Sequence, residues 1–135
     1  MGFLSKILGS SAATSRADTS HEAIRKMFDS ERLHGTKIEA VAILHRLDIA
    51  PYPPRQMAEM SIQHAKKSRA ISSNVELPSS ATIEVRELFE GENLLECLAS
   101  MLAEQLKDRN LPRISAIALE GGGRHGGVWT GIAAQ

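Results

Sequence analysis

Cysteine is nearly missing from this sequence: Cys97 is the only one in 135 residues. A lone thiol excludes an internal disulfide and any zinc site built from the thiolates of one chain. Excess charge is missing too, since sixteen Lys and Arg balance sixteen Asp and Glu. No global field therefore draws the chain toward nucleic acid or an acidic membrane. No run approaches the roughly 18 consecutive apolar residues that a spanning helix needs. The five histidines, at 21, 34, 45, 64 and 125, show no HExxH or similar ligand spacing. Neither a metal site nor a cofactor is expected, and no catalytic residue is assigned.

What is present describes an ordinary globular chain. Hydrophobic residues make up 42% and charged residues 24%, far from the composition of disorder. The charges are unevenly placed. Residues 1–75 carry eleven bases against seven acids, and residues 76–135 carry five against nine. The single thiol is compatible with a reducing compartment, and Lys6 interrupts the apolar run that a secretory signal would require. The expected location is the cytoplasm.

Residues 1–19 differ in kind from the rest. Phe3, Leu4, Ile7 and Leu8 share one face of a short helix, followed by a Gly, Ser, Ala and Thr linker. This segment reads as a flexible terminus, with those four side chains as a candidate docking handle for a partner protein. Residues 20–135 read as a single α+β domain.

Within that domain, Thr19 and Glu22 have capping-box spacing ahead of a helix over 20–34. Thr36 and Glu39 repeat the spacing, and Ile38, Val41, Ala42 and His45 line one face of a second helix over 37–47, although the β-branched content of the segment also admits a strand. Pro51, Pro53 and Pro54 force extended chain and then allow a third helix over 54–69. Alternation predicts a strand at 82–89 and a shorter one at 74–77. Leu94, Leu95, Leu98, Met101, Leu102 and Leu106 form the stripe of a long amphipathic helix, with Asn93 or Gly91 able to cap it. Strands at 113–119 and 128–134 complete the chain. The resulting class is α+β: N-terminal helices, then a small, mainly antiparallel sheet with one long amphipathic helix packed on it.

Two segments carry candidate chemistry. Gly122, Gly123, Arg124, His125 and Gly126 form a glycine-rich loop whose amides and arginine suit an anion. The eight residues after Gly127 are too few for the helix that a P-loop or dinucleotide motif places behind its glycines. On the helix over 54–69, Arg55, Lys66, Lys67 and Arg69 are placed for phosphates and Gln63 for a base edge. Three helices followed by a hairpin would have the order of a winged helix.

No catalytic constellation meets these spacing tests. The sequence therefore favours a small non-enzymatic protein–protein interaction protein: an adaptor, a chaperone or a subunit of a larger assembly. Its expected partner is another protein. The alternatives are a winged-helix-like DNA-binding protein using the helix over 54–69, and an anion- or nucleotide-binding protein or enzyme using the loop over 121–127.

Overall fold

In the computed structural model, which describes residues 17–29, 32–48, 50, 52–121 and 127–135, helices and strands alternate along most of the chain. The elements are α1 (His21–Met27), β1 (Ile38–His45), α2 (Pro54–Lys67), β2 (Thr82–Glu87), α3 (Leu94–Leu106), β3 (Ser115–Gly121) and β4 (Val128–Ala134). The four strands form one mixed sheet in the order β2-β1-β4-β3. β1 and β2 run parallel, while β1–β4 and β4–β3 are antiparallel. The class is α+β, with three helices and a four-stranded mixed sheet among the described residues.

The expected helix over 37–47 does not exist; its residues are β1, and they sit in the middle of the sheet. All eight are buried, so both faces of the strand are covered and the alternation that marks a half-exposed strand is absent. The N-terminal grouping of helices falls with it. A bulge separates Ile38 from Ala40, which pair with the consecutive residues Ala134 and Ala133. Such an extra residue reverses the side to which the following side chains point. Ile38 accordingly joins Val41 and Ile43 in one core cluster, while Ala40 joins Ala42 and Leu44 in the other.

These clusters define the layers. On one face Ile24 of α1, Phe28 at its C-terminal end, and Leu98 and Leu102 of α3 cover Ala42 and Leu44. On the other, Met57, Ala58 and Ile62 of α2 cover Val41, Ile43 and Ile132. Helix ends follow local chemistry. Ser20, not Thr19, caps α1, its Oγ accepting from the amide of Ala23 at 3.3 Å. The helix is seven residues long and stops at Phe28. Asn93 caps α3 as its sequence suggests, accepting from the amide of Glu96 at 2.9 Å. The short strand expected at 74–77 is a single bridge between Lys37 and Glu76. At the start of β3, the Oγ of Ser115 accepts from the amides of His34 and Gly35, both at 3.2 Å. None of the helices among the described residues is long and apolar enough to cross a membrane.

Candidate functional site

Of the basic residues on and after α2, Arg55, Lys67 and Arg69 are exposed and Lys66 is half-buried. Arg55 donates to the carbonyls of Pro78 at 3.1 Å and Leu77 at 2.7 Å. Its Nε also lies 3.3 Å from Glu59. Gln63 borders two adjoining hollows, one shared with Lys66, Val75 and Glu76 and the other with Met60, His64 and Lys67. Arg69 follows the helix in the left-handed region, at φ 63°. With β1 in place of a second helix, the winged-helix order on which a DNA-reading role rests is absent. Phe3, Leu4, Ile7, Leu8 and the loop residues Gly122, Gly123, Arg124, His125 and Gly126 lie outside the described residues.

Several groups of residue types used in catalysis are engaged with one another or with the backbone. Cys97 accepts from Arg86 Nη2 at 3.2 Å and reaches Glu92 Oε2 at 3.5 Å. Burial pushes its thiol above the usual range, Glu92 adds to the rise and Arg86 opposes it. That is the reverse of an activated thiolate. Glu92 is held below the usual carboxylate range, first by the amide of Phe89 and then by Arg86. Its two oxygens thereby tie the turn after β2 to the strand itself, at 2.9 and 2.8 Å. His45 is buried, and its Nδ1 accepts from the amide of Leu47 at 3.2 Å. Ser61 of α2 bonds Thr130 of β4 at 3.0 Å, which anchors the helix to the sheet. Among the described residues, no group of three or more His, Cys, Asp or Glu is placed to hold a metal ion.

The sheet edges are where the structure is unequal. β2, at one edge, is six residues long and carries Glu84, Arg86 and Glu87. Charged side chains on a short edge strand are a common guard against pairing with another chain. β3, at the other edge, has the sequence SAIALEG, with Glu120 its one charged residue. All seven of its residues pair with β4 in unbroken register, with no bulge to twist the edge away. Beyond that ladder, no backbone hydrogen bond among the described residues reaches residues 115–121. Ala116 and Ile117 are buried, and Ala118 and Leu119 are half-buried.

An edge with no further partner among the described residues offers a row of amides and carbonyls to an incoming extended segment. Sequence reasoning located the strand but not its place in the sheet. The one signal that bears on it is the uncharged run from Ile114 to Leu119. In comparison with known proteins, no family model matches this chain, no curated protein matches it, and no solved structure matches it.

Proposed function

We propose that this chain is a non-enzymatic protein–protein interaction protein, an adaptor or a subunit of a larger assembly, that receives a partner strand along β3. The observation that carries the reading is the contrast between the two edges: β2 has three charged residues in six, and β3 has one in seven. Added strands gain affinity from main-chain hydrogen bonds and need no catalytic group. A regular edge beside buried Ala116 and Ile117 suits that mode.

The test is a comparison of captured partners. Affinity purification with the parent protein and with Leu119→Lys, matched for melting temperature, should recover a defined stoichiometric partner with the parent alone. Hydrogen exchange in that complex should slow at the amides of β3. A partner retained by the folded variant, or a complex that protects other elements and leaves β3 unchanged, contradicts the reading.

A further inference from the structure

We infer that the strand received by β3 is β3 of a second copy of this chain, paired antiparallel about a two-fold axis into one continuous sheet. The inference rests on the reading of β3 as a pairing edge and names its occupant. A two-fold interface places one patch against itself, so the strand must be self-complementary. In a continuous antiparallel sheet the axis stands perpendicular to the sheet, and facing residues lie on the same side of it.

Full overlap of the seven residues centres the axis on Ala118. Ile117 then faces Leu119 of the partner subunit, Ala116 faces the partner's Glu120, and Ser115 faces the partner's Gly121. The apolar pairs fall on the α2 side of the sheet, where Ile117 and Leu119 belong to the same core cluster. Aliphatic pairs across strands are stabilising. The two Glu120 side chains stand four positions apart along the joint, about 14 Å at strand rise. That exceeds the screening length of about 8 Å at physiological salt, so the one charge of the strand does not oppose pairing.

A second observation lies on α2. Ser61 reaches Thr130 of β4, whereas Glu59, Ile62, Gln63 and Lys66 share the hollow with Val75 and Glu76. Met60 stands on the outer face of the helix, in a hollow with Gln56, His64 and Lys67. Met60 is 49% exposed, one of three large apolar side chains so exposed among the described residues. The two-fold axis keeps both copies of α2 on one side of the joined sheet. It therefore places an exposed Met60 from each copy on that same side.

Sedimentation of the full chain from micromolar to sub-millimolar concentration, with hydrogen exchange along the series, tests this. The expected result is a concentration-dependent dimer in which β3 amides become protected as dimer forms. Leu119→Lys, which sets a charge against the partner's Ile117, should weaken it by about tenfold or more. Met60→Ser, on an exposed helix face where folding is not at stake, should weaken it as well. A dimer with unprotected β3 amides, or one that both variants leave unchanged, overturns the inference. A monomer at every concentration with fast-exchanging β3 amides overturns the second copy but leaves the edge open to another protein. A monomer whose outward β3 amides are already protected overturns both readings.

Discussion

Glu39 and Arg109, seventy residues apart in sequence, meet at the bulge of β1: the Arg109 Nη1 lies 3.0 Å from Glu39 Oε2. The same nitrogen donates to the Glu39 carbonyl at 3.2 Å, and Gln135 Nε2 donates to Oε1 at 2.8 Å. Glu39 is 8% exposed, so its carboxylate depends on these donors in place of water. Arg109→Ala should cost about 2 kcal/mol in urea unfolding, because a buried charge loses its main partner while keeping one hydrogen bond. Replacing both members, by Glu39→Gln with Arg109→Met, should cost less than Arg109→Ala alone. A larger loss in the double variant contradicts this account of the bulge.

Gly35 and Gly127 are both closely approached, and they should respond differently to a methyl group. A β-carbon at 35 would lie 2.7 Å from the carbonyl carbon of Ala134 and 2.8 Å from the amide of Gln135. Those are backbone atoms at the end of a central strand. A β-carbon at 127 would run into Cη2 of Trp129, the far end of a side chain. Gly35→Ala should therefore lower stability by about 1–3 kcal/mol. Gly127→Ala should move the indole, shifting the fluorescence of the only tryptophan, with a smaller loss of stability. Equal thermal losses with unchanged emission would contradict the difference.

How much of this was legible follows from how local each signal is. The Asn93 cap and the leucine stripe of α3 are read within one helix, and they stand as read. The sequence IEAVAILH shows no period of two and so reads as a helix; the structure gives the reason, since β1 is buried on both sides. Glu39 deepened the error: it looks like the second member of a capping box, and its real partners, Arg109 and Gln135, are unreadable at that distance in sequence. Edge and centre were illegible for a related reason. Which strand lies outermost depends on crossover connections and strand order, not on any strand's own residues. The uncharged character of β3 acquires meaning only once the strand stands at an edge.

Leu98 is fully buried beneath α3 in the cluster that includes Leu102 and Phe28. Leu98→Ala should cost roughly 2–5 kcal/mol, the range for a buried leucine cut back to leave a cavity. Equilibrium denaturation reads the value directly. A change below about 0.5 kcal/mol, typical of exposed positions, would contradict the placement of α3 on the sheet.

Acid should loosen the turn after β2. Glu92 titrates below its usual range in the fold because the Phe89 amide and Arg86 both favour its charged form. Asp18 does so through the amide and hydroxyl of Ser20. A folded value below the unfolded one contributes stability above the unfolded value, about 4 for a carboxylate, and that stability is lost as pH falls through the folded value. Glu92→Gln should therefore flatten the fall in melting temperature below about pH 5. A parent-like slope in the variant assigns the acid sensitivity elsewhere.

The edge of β3 is tested most directly by a bond formed across it. In a Cys97→Ala background, Ala118→Cys places one thiol on the proposed axis, where directly facing residues have β-carbons about 4.5–5.5 Å apart, near disulfide range. Glu84→Cys on the guarded edge β2 serves as the control. Under mild oxidation the account expects rapid covalent dimer from Ala118→Cys and little from Glu84→Cys. Dimer formed equally by both, or by Glu84→Cys alone, would contradict β3 as the pairing edge.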